Sequence, residues 1–274
     1  MVNKGARGCG AKEYPGPWHR RVGGRRGSGV CISIIRTHGT HHNMDSDFFR
    51  RFLEAISQDR IDAYRSDGAD EATTAARYLW NIALCESLYS PLQMCEIGLR
   101  NAVHRALTAH FGTDRWYDEP KARLECWASQ QIQEAKKRIA RRNKPLCPGR
   151  VVAELHFGFW TIFFNRYHDQ TGLAAAVARR GFPGLPRKQR KIGALEKRFR
   201  RIRKLRNRVF HHERISHFRD LEQQHGEIVQ AVGWMSPELE DMVLKLDRFT
   251  QIYRDGIDPW LEKINEHWTK GDNA

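Results

Sequence analysis

The stretch KIGALEKRFRRIRKLRNRVFHHERI, residues 191–215, has the pattern of one amphipathic helix that ends in a pair of histidines. Its apolar side chains recur every three or four residues, the spacing that places them on one face of a helix. We predict that they form a buried stripe, which comprises Leu195, Phe199, Ile202, Leu205 and Val209. Because twelve Lys and Arg residues lie between positions 187 and 208, most of the remaining surface is predicted to be a solvated basic face.

The same helical periodicity continues on both sides of this stretch, from residue 44 to near the end of the chain. Alternating apolar and polar residues, which would indicate strands, are nearly absent. We therefore predict an all-α domain over residues 44–274. Its helices are expected at about 48–56, 71–88, 90–110 with Pro91 in the first turn, 120–142, 150–168 with a bend near Gly158, 187–211, 218–231, 237–253 and 257–268.

Residues 1–43 differ from the rest in composition, since they are rich in glycine and arginine and have no sustained periodicity. Eight Lys and Arg residues against one Glu give this segment a formal charge of +7. We expect a disordered basic tail, with Met44 as a domain start and Asp45 or Ser46 as the first helix cap. A start codon assigned too far upstream would explain such a tail; the alternative is a nucleic-acid-binding arm.

The overall charge of +15 indicates a polyanionic partner, nucleic acid first and an anionic membrane second. No apolar run approaches the roughly 18 residues of a membrane span, so we expect no membrane partner. The six cysteines include no Cys-x-x-Cys pair, which favours reduced thiols and a cytoplasmic location. Neither a zincin pattern nor a Walker A loop occurs, and we expect no metal and no cofactor.

Two arginines of the long helix fall within its apolar stripe, each roughly 40° from the centre when residues are stepped at about 100°. These are Arg198 and Arg206. A guanidinium in such a place must be paired, face a cleft, or extend its head to water along the edge of the stripe. Only Arg206 has histidines close behind it, and His211 can share its pocket only if the helix ends near residue 210 or a second chain completes the site.

An arginine and a histidine together can cleave RNA without a metal. The guanidinium holds the phosphate and stabilises its added charge, while the imidazole, with an ordinary pKa of about 6.5, moves a proton to or from the reacting oxygens. The same residues also occur by chance on basic helices. Two other functions therefore stay open: an RNA-binding protein that holds a guide or regulatory RNA, and a structural helical protein whose charge only keeps it in solution.

The stretch LRNRVFHHERI, residues 205–215, resembles the signature of the Abi-like (abortive infection) proteins, a branch of the HEPN superfamily. The family pattern is Arg, a polar residue and His, which Arg206, Asn207 and His211 match, and His212 matches the doubled histidine of this branch. Further similar segments, in the usual order, are SQDRIDAYR (57–65), CEIGLRNAVHRAL (95–107), FGTDRWYD (111–118) and RVVAELHFGFW (150–160). The resemblance covers about 44–235; where relatives often continue toward Trp-Asn, this chain has RISHFRD.

The resemblance implies a HEPN-type helical bundle and a metal-independent endoribonuclease of a bacterial anti-phage or toxin system. The implied catalytic residues are Arg206, Asn207, His211 and His212. It also implies a homodimer in which Arg206 and His211 of both subunits meet, and RNA cleavage by 2′-OH transesterification that leaves a 2′,3′-cyclic phosphate. A regulatory RNA or an antitoxin is a further partner that such systems suggest.

A second group, Glu96, Arg100 and His104, lies on one ridge of a helix at i, i+4 and i+8. Glu96 and Arg100 could form a surface ion pair. Alternatively, Glu96 orients Arg206 or a histidine, while Arg100 and Asn101 help to bind the phosphate. Eight basic residues of the strip AKKRIARR (135–142) and of the long helix are predicted to contact the RNA backbone: Lys136, Lys137, Arg141, Arg142, Arg198, Arg201, Lys204 and Arg208.

Overall fold

The computed structural model describes residues 44–66 and 68–268, so the predicted basic tail, residues 1–43, lies outside the described residues. Within the described ranges the fold is all-α, as predicted, and contains no β-strand. Short 3₁₀ turns connect several of the thirteen α-helices in these ranges. The helices are α1 Ser46–Ile56, α2 Gln58–Asp62, α3 Glu71–Phe111, α4 Cys126–Arg141, α5 Pro148–Glu154, α6 Phe157–Thr161, α7 Arg166–Gln170, α8 Leu173–Gly181, α9 Ile192–Phe210, α10 Leu221–Met235, α11 Pro237–Leu246, α12 Phe249–Asp255 and α13 Asp258–Trp268.

The longest helix, α3, runs unbroken for 41 residues through Pro91, where the sequence predicted a new helix to begin. That prediction is wrong because the helix is buried on both sides of the proline. Leu84, Leu88, Leu92 and Cys95 are almost completely buried. An interior proline removes one backbone hydrogen bond and costs about 3 kcal/mol in an isolated helix. Packing against α8, α9, α10, α12 and α13 offsets that cost here.

Several other predicted boundaries also differ. The segment 150–168 breaks at Leu155 and His156, before Gly158, and continues as short helices. The predicted helix 237–253 is divided at Asp247, whose side chain binds the amide of Phe249 at 3.1 Å. Helix α8 was not predicted at all. Short helices give few turns of periodicity, so their limits depend on tertiary contacts that the sequence pattern does not encode.

The first helix is capped as predicted. The Asp45 carboxylate accepts the amide hydrogens of Asp47 at 2.9 Å and Phe48 at 3.4 Å. The Asp45 amide donates to the carbonyl of Trp268 at 2.9 Å, and the Trp268 ring stacks on Phe48. These contacts join the start of α1 to the end of α13 over a small apolar cluster around Phe49.

Helix α9 buries the predicted stripe, since its five buried residues are Leu195, Phe199, Ile202, Leu205 and Val209. This stripe belongs to the main core and packs on α3, α6 and α10. Helix α9 begins at Ile192, after a 3₁₀ turn at Arg187–Gln189, and ends at Phe210. Its last turn, which contains the candidate catalytic motif, is therefore anchored on the long helix α3.

Candidate active site

Helix α9 ends in a Schellman motif, a paired arrangement of backbone hydrogen bonds that closes the last turn. The amide of His212 donates to the carbonyl of Val209 at 3.2 Å, and the amide of Glu213 donates to the carbonyl of Arg208 at 2.9 Å. The helical conformation stops at Phe210. One of the two conditions for a pocket shared by His211 and Arg206, a helix end near residue 210, is met.

His212 occupies the left-handed position of this motif, with a φ of 57°. Glycine is the usual residue there, because a side chain in this region costs about 1–2 kcal/mol. The Arg60 guanidinium donates a hydrogen bond to the His212 carbonyl. The strained residue is therefore held by the helix end on one side and by α2 on the other. Such strain is concentrated at functional sites in proteins.

The chain after the motif is fixed to α3 by one buried amide. The Asn81 Oδ1 atom accepts the amide hydrogens of Ile215 at 2.8 Å and Ser216 at 3.1 Å. The Arg214 guanidinium donates to the carbonyl of Ala63. The backbone of the two histidines is therefore fixed by the hydrogen bonds of the helix end before them and by those of Asn81 and Arg214 after them.

Arg206 is held by two groups. Its Nε lies 3.2 Å from Glu96 Oε2 on α3, and its Cζ lies 4.3 Å from the centroid of the Phe210 ring. The Arg206 and Glu96 side chains are each about one quarter exposed. Among the described residues, no hydrogen bond uses the two Nη groups of Arg206. A guanidinium bound through Nε keeps its Nη pair for a bidentate contact with an incoming phosphate.

The other arginine on the stripe, Arg198, is used differently. Its Nη1 donates to the Gln230 side chain at 2.9 Å and to the Glu227 carbonyl at 3.2 Å, and its Cζ lies 4.9 Å from the Trp234 ring centroid. Burial lowers the pKa of Arg198, while the negative charge of Glu227 raises it. These contacts join α9 to α10. Arg198 therefore has a structural role, whereas the Nη donors of Arg206 remain available.

Of the two arrangements open for Glu96, the contact with Arg206 is the one observed. Among the described residues, Glu96 forms no ion pair with Arg100. Arg100 is half-buried and Asn101 is exposed, and neither shares a hydrogen bond with Arg206. His104 accepts a hydrogen bond at Nδ1 from Trp116 Nε1 at 2.9 Å, which gives it a structural role.

The histidine rings stand apart from this pair. His211 and His212 are both exposed, and no hydrogen bond or ion pair joins either ring to Arg206 within residues 44–66 and 68–268. Asn207 is exposed too, and its carbonyl accepts the His211 amide at 2.9 Å. Among the described residues, the single chain therefore pairs Arg206 with Glu96, and neither motif histidine forms a hydrogen bond or an ion pair with them.

A third histidine, His156, lies in the electrostatic environment of Arg206, which sequence reasoning missed. A Cβ on Gly158 would meet the His156 ring at 3.0 Å, so the glycine makes room for the ring, whereas Arg203 Nη1 would lie at an ordinary contact distance of 3.7 Å. Burial is the largest cause that lowers the pKa of His156; Glu96 raises it, and Arg138, Arg203 and Arg206 lower it further. His156 is separated from Arg206 by 50 residues of sequence, and no local pattern indicates this electrostatic interaction.

Most of the predicted RNA-binding cations have carboxylate partners. Six of the eight are in ion pairs: Lys136, Lys137, Arg142, Arg198, Arg201 and Arg208. Arg141 and Lys204 are exposed and form no ion pair within the described part of the chain. Because exposed ion pairs contribute less than about 1 kcal/mol, a phosphate can compete for the exposed members of this set. In the described ranges, no helix has the length and apolarity needed to cross a bilayer.

The chain matches no family model, no curated protein and no solved structure. The fold and the site define an all-α protein with an arginine that Glu96 and Phe210 hold at the α3–α9 contact. The resemblance to the Abi-like proteins remains a prediction from the sequence.

The left-handed conformation of His212 predicts that glycine is more stabilising than alanine at this position, the reverse of the order at a helical position. His212→Gly should be about 1 kcal/mol more stable than His212→Ala, because only glycine adopts this conformation without a steric cost. Urea unfolding followed by tryptophan fluorescence measures the difference. At the exposed helical position Lys204 the order should reverse, with alanine about 1 kcal/mol better than glycine. The same order at both positions would contradict a left-handed His212.

The cluster around His156 predicts opposite shifts of one pKa. Glu96→Gln should lower the pKa of His156, because it removes the negative charge that raises it. Arg206→Gln should raise the pKa of His156, because it removes a positive charge. The His156 resonance, assigned with a His156→Gln variant, reports both values in an NMR titration. Glu86→Gln on the same helix serves as the control and should leave this pKa unchanged. Shifts of the same sign would show that His156 does not sense the pair.

Proposed function

We propose that this protein is a metal-independent endoribonuclease of the HEPN type that acts in the cytoplasm as part of a bacterial abortive-infection or toxin system. The observation that carries the proposal is Arg206: it is held by Glu96 and Phe210, keeps its Nη donors available, and stands one turn before a strained helix end with two exposed histidines. The all-α fold and the high positive charge are compatible with a HEPN bundle that binds RNA.

In the proposed reaction, the Nη groups of Arg206 bind the non-bridging oxygens of the scissile phosphate. A neutral histidine of the pair accepts the proton of the ribose 2′-OH, and the 2′ oxygen attacks phosphorus. The bond from phosphorus to the 5′ oxygen breaks, and a protonated histidine gives that oxygen its proton. The products are a 2′,3′-cyclic phosphate end and a 5′-hydroxyl end. Asn207, Arg100 and Asn101 are assigned supporting contacts to the phosphate.

The proposal includes a homodimer with a composite site. Support comes from the separation within one chain: the rings of His211 and His212 are exposed and are not hydrogen-bonded to Arg206 among the described residues. A second copy that presents its histidines to this arginine would bring the two groups within reach of one phosphate. Closed two-fold dimers are the commonest assemblies of soluble proteins.

The separation of the histidine rings from Arg206 also favours a second candidate function. In this function the protein holds a guide or regulatory RNA and does not cleave it. Lys and Arg contacts with phosphates supply affinity in either case. The two candidates differ in one measurement, the formation of cyclic-phosphate ends. Salt-sensitive binding without cleavage, unchanged by His211→Ala, would favour the second candidate. Failure to bind RNA at low salt would favour a structural protein.

Two alanine substitutions test the catalytic assignment. Arg206→Ala and His211→Ala should each reduce cleavage of labelled RNA in EDTA at least about 100-fold, because each removes a group that acts in the transition state. Toxicity in cells should be lost as well. His212→Ala, compared with His211→Ala, identifies the histidine that transfers the proton.

Matched controls for these variants lie on other exposed surfaces. Arg179→Ala and His110→Ala remove the same residue types from the ends of α8 and α3 and should leave cleavage unchanged. Circular dichroism and thermal unfolding establish that each variant is folded. Full cleavage by both Arg206→Ala and His211→Ala would overturn the proposed function.

A composite site predicts complementation between inactive subunits. When Arg206→Ala and His211→Ala proteins are unfolded, mixed and refolded together, mixed dimers contain one intact pair, with the arginine from one chain and the histidine from the other. Because half of the dimers are mixed at random, we expect about one quarter of wild-type activity. Each variant refolded alone is the control. No recovery, although mixed dimers are seen by native mass spectrometry, would place both residues of each site in one subunit.

A further inference from the structure

A cleft of about 580 Å³ is lined by Phe210 and by other residues of α3 and of the end of α9, and residues of α1 and α2 complete its lining. Its volume falls within the roughly 300–1,000 Å³ typical of small-molecule sites. The walls are mainly apolar and aromatic: Ile56, Tyr78, Ile82, Tyr89 and Phe210. The polar lining groups are Arg60, Asn81, Glu86 and His212. An apolar slot with a few polar groups suits a flat, partly polar ligand.

Three stacked groups connect this cleft to Arg206. The Tyr89 ring stacks on Phe210, with centroids 5.3 Å apart and an interplanar angle of 30°. The Phe210 ring in turn lies beneath the Arg206 guanidinium. Tyr89 is 51% exposed, so part of its ring is open to an incoming planar group. A phosphate on Arg206 and a base against Tyr89 can therefore belong to the same or to adjacent nucleotides.

The charges of the cleft suit a polyanion. Glu86 is the one acidic lining residue in the part of the chain that the structure describes, and the Arg248 guanidinium pairs with it at 2.7 Å. Arg60 contributes a positive charge to the lining. Burial raises the pKa of the Cys85 thiol to about 11, so this group is neutral. Among the described residues, the one acceptor of the Asn81 Nδ2 group is the Cys85 sulfur, at a distance of 3.8 Å, so this group can also donate to a base carbonyl.

We propose that this cleft binds a nucleobase of the nucleic acid whose phosphate Arg206 holds. The proposal rests on the proposed function for the identity of the polymer as an RNA substrate. Base binding itself requires only that the protein bind a single strand. Stacking on an aromatic side chain is tolerant of base identity, so the cleft would add affinity and orientation more than sequence preference.

A second copy of this chain is the main alternative occupant. A stable interface buries about 800 Å² on each partner. Among the exposed large apolar residues of the described ranges, only Ile82 and Tyr89 line the cleft; the others lie elsewhere: Leu146, Tyr167, Met242, Leu244 and Leu246. Two such residues around a concave opening fit an inserted ring better than a broad protein interface.

The test uses the full chain and a five-residue oligothymidylate made of deoxynucleotides. This probe lacks the 2′-OH, so the proposed reaction cannot cleave it. Fluorescence anisotropy at low salt measures its affinity. Tyr89→Ala should weaken binding about 5- to 150-fold, the usual effect of losing one stacked base. Tyr89→Phe should bind like the wild type, because the tyrosine hydroxyl forms no hydrogen bond among the described residues.

An abasic scan of the same probe separates base contacts from phosphate contacts. Replacing one base at a time should reveal a position where the loss weakens binding to the wild type but not to Tyr89→Ala. Tyr167→Ala, which removes an exposed tyrosine on α7, is the matched control and should bind normally. Ile82→Glu, which adds a negative charge at the cleft wall, should also weaken binding. Thermal unfolding establishes that each variant is folded.

Two results would overturn the proposal. One is that the wild type and Tyr89→Ala bind the probe with equal affinity. The other is that removing each base weakens binding to both proteins by the same factor. A Tyr89→Ala protein that becomes monomeric yet binds the probe with unchanged affinity would assign the cleft to a second copy. The outcome is independent of catalysis. If the wild type fails to cleave RNA but shows the Tyr89-dependent abasic effect, the ribonuclease proposal fails and the base site stands.

Discussion

A continuous helix through Pro91 is the constraint that orders the rest of the described chain. Because α3 does not break, Asn81, Tyr89 and Glu96 lie on one rigid rod of 41 residues. Asn81 holds the chain after the histidines, Tyr89 stacks on Phe210, and Glu96 binds Arg206. A break at the proline would separate Glu96 from the other two and remove the common frame of the motif. The core leucines on both sides of Pro91 therefore stabilise the geometry of the candidate site as well as the fold.

Helix α9 has two arginines on its apolar stripe, Arg198 and Arg206, and their contacts offset the free-energy cost of burying a guanidinium in two different ways. Arg198 satisfies its Nη1 group with protein acceptors and so fastens α9 to α10. Arg206 is bound through Nε and through its flat face, which fixes the plane of the group but leaves the Nη pair without protein acceptors among the described residues. These Nη groups are accessible to water, and a phosphate oxygen can replace that water as their acceptor. This difference supports an anion-binding role for Arg206 rather than a structural one.

The local pattern of the sequence predicts much of α9 and little of what surrounds it. The buried stripe and the Asp45 cap follow from periodicity and capping rules, which act within a few residues. The contact between Glu96 and Arg206 joins residues 110 positions apart, and the spacing of Glu96 and Arg100 suggested a local pair equally well. The position of His156 depends on the break at Leu155 and on the space left by Gly158. Such contacts are products of the tertiary fold, and no helical repeat encodes them.

The helix end also distinguishes two adjacent histidines that look equivalent in sequence. His212, in the left-handed position, lines the cleft beside Phe210, whereas His211 does not line it. In the proposed function, His212 therefore lies beside the bound base. His211 lies outside the cleft, where a second subunit can present a phosphate bound to its own Arg206. A regular helix would place the two rings about 100° apart around one axis. The Schellman turn changes that relation, and this gives the doubled histidine two separate environments.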